Sequence, residues 1–166
     1  MRRLGMWVGG ALLLSAPLVV QAQDSVGFRG WGPRMGASVN PDQVVFGVHL
    51  DYGHFARHIR VQPNVEVGLG DDRSVISFDG DLAYQFNADW GRWSPYVGGG
   101  LNLIVISHDR PGRDDESQTD LGVSALGGIQ KTLVGGDRFF LEVKLGLVDA
   151  PDLKLLVGWT FFSRGR

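Results

Sequence analysis

Four side chains able to move protons or hold a metal crowd one stretch of the sequence: His49, Asp51, His54 and His58. An imidazole within hydrogen-bond reach of a carboxylate is the usual start of a general base or a ligand pair. Their spacing limits what they can do. His49 and Asp51 are two apart and share one face of a strand, whereas His54 and His58 lie beyond Gly53 in the segment that follows. No serine and histidine pair is placed for nucleophilic attack, and no His-Glu-x-x-His zinc spacing occurs. The run Asp114-Asp115-Glu116 lacks the twelve-residue ligand order and the glycine of a calcium loop, so it reads as solvated. No catalytic, cofactor-binding or metal-ligating residue is assigned, and His49 and Asp51 read as hydrogen-bonding partners.

The other charged residues have a more regular placing. Arg34, Arg60, Arg138, Lys144 and Lys154 face Asp51, Glu66, Asp79, Asp81 and Glu142 in a balanced set of five cations and five anions, with His49 nearby. Each sits on the polar parity of a segment whose other parity is apolar. In Arg138 to Leu147, Phe139, Leu141, Val143, Leu145 and Leu147 fall on one face, and Arg138, Phe140, Glu142, Lys144 and Gly146 on the other. A period of two belongs to β-strands whose faces meet different surroundings.

Eight such segments follow in order: Trp31 to Val39, Val44 to Tyr52, Ile59 to Leu69, Ile76 to Phe86, Pro95 to Ile106, Leu121 to Gln130, Arg138 to Leu147 and Leu153 to Phe162. Turn residues separate them, as in Asn40-Pro41-Asp42-Gln43, Asp71-Asp72-Arg73-Ser74, Val134-Gly135-Gly136-Asp137 and Asp149-Ala150-Pro151-Asp152. Ser107 to Asp120 reads as the longest loop. Pro63 removes a ladder donor, which predicts a bulge or a local loss of pairing in the third strand. Strands of this length cross a bilayer when tilted, and hairpin connection of eight gives an all-β, eight-stranded antiparallel up-and-down transmembrane β-barrel. Closure removes the exposed edges.

The chain has 166 residues, one domain's worth. Arg2 and Arg3 precede an apolar run from Met6 to Val20, and Val20-Gln21-Ala22 supplies a small-residue cleavage pattern. This predicts a signal peptide over residues 1–22 and a barrel domain over 23–166. Cleavage would take the net charge from −2 to about −4, and no basic patch with interleaved aromatics points to nucleic acid. The absence of cysteine excludes a disulfide-held mini-domain.

Volume decides which face is outside. The interior of an eight-stranded barrel is narrow. The apolar parity carries Trp31, Phe46, Tyr52, Phe78, Tyr84, Phe86, Phe139, Trp159 and Phe161, too bulky a set to enclose, while the polar parity is rich in glycine. The bulky face therefore meets lipid and the charges meet each other in the lumen. Aromatics near strand ends and turns, Trp31, Tyr52, Phe86, Trp90, Trp93, Trp159 and Phe161, are expected at membrane interfaces. With the N-terminus in the periplasm, connections after odd-numbered strands lie outside the cell, including Ser107 to Asp120. Lys154 is the expected partner of Glu142. Paired charges in so narrow a bore imply a plug, a narrow ion path being the weaker reading.

The eight alternating segments, the signal peptide and the terminal Gly158-Trp159-Thr160-Phe161-Phe162 resemble the outer-membrane β-barrel domain family, in particular OmpA-like and OmpX-like eight-stranded barrels. The resemblance covers Trp31 to Phe162 and departs from the pattern at Ser163-Arg164-Gly165-Arg166, which follows the aromatic end. It implies the bacterial outer membrane, contact with outer-membrane lipid, and recognition of the last strand by the barrel assembly machinery. The function expected is structural or surface-interactive, without turnover chemistry and with the extracellular partner unknown. The competing readings are a soluble exported lipocalin-like barrel with an apolar ligand inside, a narrow pore, and an outer-leaflet lipid-modifying enzyme. By the resemblance, such enzymes work near the outer leaflet, whereas His49 and Asp51 fall near the periplasmic end.

Overall fold

The computed structural model describes residues 26–70, 73–88, 90–108 and 117–163. The expected signal peptide lies outside the described residues. Nine strands are present: β1 Gly30–Val39, β2 Gln43–Asp51, β3 His54–Ala56, β4 Ile59–Leu69, β5 Arg73–Gln85, β6 Ser94–His108, β7 Ser117–Thr132, β8 Arg138–Val148 and β9 Leu153–Phe162. Each pairs antiparallel with its neighbours in the order β2-β1-β9-β8-β7-β6-β5-β4-β3, and β2 also pairs with β4, which closes the sheet. The short β3 takes up pairing with β4 beyond the end of β2, so the two form one stave. The result is a closed eight-stave barrel.

Period-two alternation is expressed directly as burial. Along β8, Phe140, Glu142 and Lys144 are buried, while Leu141, Val143, Leu145 and Leu147 are exposed. The interior is polar and the exterior apolar, the inverse of a water-soluble fold. Leu101 and Leu121 expose 61% and 67% of their surface on the outer wall, whereas Arg34 and Glu66 inside expose 2% and 1%.

Two expectations need correction, and at Pro63 one of two alternatives is met. The loop drawn from Ser107 to Asp120 is shortened at both ends, because the ladder of β6 and β7 continues through Ile104↔Asp120, Ile106↔Gln118 and Ser107↔Ser117. Backbone pairing persists there although the residues are polar, since a hairpin standing above the bilayer needs no apolar face. The fourth strand likewise begins earlier, at Arg73, paired with His108. Pro63 causes no bulge towards β5, where it stands opposite Gly80 in an unbroken ladder. The loss falls on its other side, where the ladder between β2 and β4 stops at His49↔Asn64, one residue short of the proline.

The two rims differ. The start of β1 and the end of β9 lie together at one rim, Gly30 opposite Phe162, called here the terminal rim. Strand direction brings Trp31, Tyr52, Tyr84, Phe86, Trp90, Trp93, Phe139, Trp159 and Phe161 to this rim. Their rings touch in edge-on pairs, Trp31 with Phe161, Tyr84 with Phe86, and Phe139 with both Trp93 and Trp159. The outer wall towards the distal rim is mainly aliphatic, with Val39, Val44, Leu69, Leu103, Leu121 and Leu147, and carries Phe46 and Phe78 as its aromatics. The aromatics thus form one belt at one rim rather than a pair.

Candidate functional site

Inward parity on all eight staves converges on the lumen, and the charged residues meet there in layers. Towards the distal rim, Lys144 Nζ donates to Asp79 Oδ2 at 3.0 Å and to Asp81 Oδ2 at 2.9 Å. Lys154 Nζ donates to Glu66 Oε2 at 2.7 Å. Below them Arg34 is the hub, donating from Nη1 to Glu66 Oε1 at 2.8 Å and from Nη2 to Glu142 Oε1 at 3.3 Å. Its Nη1 also lies 4.0 Å from Asp81. Asn64 Nδ2 donates to Asp81 at 2.8 Å, and Tyr96 Oη donates to Glu142 Oε2 at 2.9 Å.

Lys154 is not the partner of Glu142. The ladder of β8 and β9 sets Lys154 directly opposite Lys144, and Glu142 opposite Leu156. Two ammonium groups at one level repel. Lys144 turns to the aspartates of β5 and Lys154 crosses to Glu66 on β4, leaving Glu142 to Arg34 and Tyr96.

Towards the terminal rim the composition changes. Phe140 and Tyr96 are 1% exposed, and with Ala83 and Leu126 they make an apolar layer across the lumen. The Arg34 guanidinium lies 5.4 Å from the Phe140 ring centre, and that of Arg60 5.1 Å from the Tyr96 ring centre. Arg60 also donates to Gln130 Oε1. Below this layer Arg138 Nη1 donates to Asp51 Oδ2 at 2.7 Å, and Asp51 Oδ1 accepts the Gly53 N–H at 2.9 Å. All ten charged residues assigned to the network therefore point inward, nine of them buried and Arg138 half-buried. Arg60 is the member that has no carboxylate partner among the described residues.

The histidine cluster of the sequence is dispersed. His49 Nε2 shares a hydrogen bond of 2.8 Å with Thr160 Oγ1, and its ring packs edge-on to Phe140. His54 reaches Gln85 at 3.3 Å, and His58 lies against Tyr84. Asp51 is held by Arg138 and the Gly53 N–H rather than by an imidazole. This geometry gives no proton relay and gathers no ligand set.

Sequence reasoning missed the contribution of Tyr96 and Phe140 to the packing of the lumen, although both lie on inward parities. The available signal was the glycine beside each. A Cβ on Gly128 would stand 2.6 Å from the Tyr96 ring, and one on Gly158 would overlap the Phe140 ring. Glycine at these two positions leaves space for an aromatic inside a narrow barrel. Thr160, Gln130 and Asn64 were also unassigned, since only the barrel register shows which polar residues meet across the bore.

Of the aromatics expected at interfaces, Trp31, Tyr52, Phe86, Trp90, Trp159 and Phe161 are exposed and Trp93 is half-buried. All seven stand at the terminal rim. Trp90 and Trp93 pair with each other across a short turn, the Trp90 N–H donating to the Trp93 carbonyl at 3.0 Å.

No family model matches the sequence, and no characterised protein matches it in a sequence search. Solved structures do. The crystal structure of Neisserial surface protein A superposes with a TM-score of 0.64 at 15% identity, covering 82% of this chain and 97% of that one. The N-terminal β-barrel domain of Pseudomonas aeruginosa OprF superposes with a TM-score of 0.64 at 13% identity, covering 83% and 98%. This is the fold of the OmpA-like eight-stranded outer-membrane barrels. The outer-membrane barrel fold and the apolar wall agree, because a wall presenting Leu101, Leu121, Leu147 and Trp31 needs lipid around it. The barrel accordingly stands in the bacterial outer membrane. A lipocalin-like interior would be an apolar cavity, whereas this one holds salt bridges.

Proposed function

We propose that the protein is a closed, non-conducting outer-membrane barrel with a structural or surface-interaction role. The observation that supports this reading is the continuity of the lumen contents. From Lys154 through Glu66, Arg34 and Glu142 to Tyr96, each side chain is bonded to the next by a contact of 2.7 to 3.3 Å. A cation entering from either rim would have to displace an ammonium or a guanidinium from its carboxylate in a low-dielectric bore, at a cost of several kcal/mol per broken pair. The long hairpin of β6 and β7 at the distal rim supplies a surface for contact outside the cell. The aromatic end of β9, Trp159 to Phe162, is the segment we assign to the barrel assembly machinery. No turnover chemistry is proposed, since the charged side chains of the lumen other than Arg60 are paired with one another.

Reconstitution into planar bilayers tests the plug. The expected record for the wild-type barrel is silent, and the Arg34→Ala/Glu66→Ala/Glu142→Ala variant, which removes the centre of this chain of contacts, should show discrete current steps. Stable unitary conductance in the wild type would replace the plug with the narrow-pore reading.

A further inference from the structure

The two rims carry opposite charge among the described side chains. At the terminal rim Arg29, Arg57 and Arg92 are exposed and Lys131 is half-buried, and none has a carboxylate partner among the described residues. The described carboxylates there are engaged, Asp51 by Arg138 and Asp137 by the Phe162 N–H; Asp89 lies outside the described residues. At the distal rim Asp42, Asp149 and Asp152 are exposed and Asp120 is half-buried. The basic rim is also the aromatic one.

Lys131 joins these two features. It lies on the outward parity of β7 opposite Phe139, and its ammonium stands 4.9 Å from the Trp93 ring centre and 5.7 Å from that of Phe139. Cation–π contact holds the charge at the level of the aromatic belt. Immediately below, an apolar groove of about 690 Å³ runs along the outer wall from Trp90 past Pro95 and Ile129 to Val97, Gly127 and Val143. Its depth at Gly127 comes from a missing side chain, since a Cβ there would meet nothing closer than 3.8 Å.

A positive charge at interface depth, two residues along β7 from the groove-lining Ile129, has the chemistry of a phospholipid site. We propose that an anionic glycerophospholipid of the periplasmic leaflet binds here, its phosphate at Lys131 and one acyl chain in the groove floored by Gly127. The inference rests on the outer-membrane reading above and on the terminal rim facing the periplasm. Charge complementarity selects the headgroup and the groove selects the chain.

The test reconstitutes the full barrel in phosphatidylcholine bilayers and titrates in phosphatidylglycerol with brominated acyl chains, which quench nearby tryptophans such as Trp90 and Trp93. Brominated phosphatidylcholine is the reference. The wild type should prefer the glycerol lipid about fivefold, the contribution of one cation near an anionic headgroup. Lys131→Gln should bring the ratio close to one, and Arg57→Gln, a rim variant away from the groove, should leave it unchanged. Gly127→Leu should weaken quenching by both lipids. Equal quenching by the two lipids in the wild type, or a preference that survives Lys131→Gln, would overturn the site. Heat-dependent gel mobility is scored on each sample, so a barrel that shifts normally yet shows no preference refutes the lipid site and leaves the barrel reading standing.

Discussion

The interior is held by individual charges whose partners cannot be exchanged freely. Lys144 lies between Asp79 and Asp81, all three nearly inaccessible to solvent. Lys144→Met removes the cation and leaves two carboxylates buried side by side, so the barrel should lose about 3 to 5 kcal/mol. Urea unfolding followed by tryptophan fluorescence in lipid vesicles measures this. The triple variant Lys144→Met/Asp79→Asn/Asp81→Asn should recover most of the loss, because the damage comes from the unpaired charges more than from the missing contact. Recovery would also separate the charge effect from the packing of the lysine stem. His49 illustrates the opposite case, a titratable residue that looked chemical in the sequence and is a hydrogen-bonded filler between Thr160 and Phe140.

Each strand divides its residues between two solvents, which makes adjacent positions unequal to the same substitution. In β8, Val143 faces out between inward-facing Glu142 and Lys144. Val143→Arg places a charge in the hydrocarbon layer and should cost about 2 to 4 kcal/mol. The same substitution at Val148, exposed at the end of β8 by the distal rim, should cost less than about 1 kcal/mol. Unfolding in vesicles of defined thickness compares the two, and equal costs would mean that the wall at Val143 is not at membrane depth. The elements also show where a propensity rule acts locally. Pro63 interrupts one ladder and leaves the other intact because its nitrogen points to only one neighbour.

At the scale of the molecule the described side chains are distributed unevenly along the barrel axis, with aromatic and basic residues at the terminal rim and mainly aliphatic and acidic ones towards the distal rim. That asymmetry gives the barrel a defined orientation, which the absence of native cysteine makes simple to read. Single-cysteine variants Asp149→Cys and Arg92→Cys, exposed at opposite rims, report the two sides. A membrane-impermeant maleimide should label Asp149→Cys in intact cells and Arg92→Cys only after the outer membrane is permeabilised. The reverse pattern would invert the barrel and with it the leaflet of the proposed lipid site.

Alternation of residues such as Phe139 to Leu147 determined by itself that the chain makes strands with one lipid-compatible face, because the period of a strand is local and the excess of bulky residues on one parity cannot fit inside eight staves. It likewise determined that the ten charges point inward, since a side chain's face follows from its parity. Which charges meet was decided by the tertiary structure alone. Closure between β2 and β4 and the stagger of the ladders set the height of each residue in the bore, so Lys154 finds Glu66 on a strand far away in the sequence and leaves Glu142 to Arg34. The gathering of every large interfacial aromatic at one rim has the same cause. Strand direction reverses at each hairpin, so residues at the start of β8 and the end of β9 are far apart in the sequence and become neighbours only when the ladder forms.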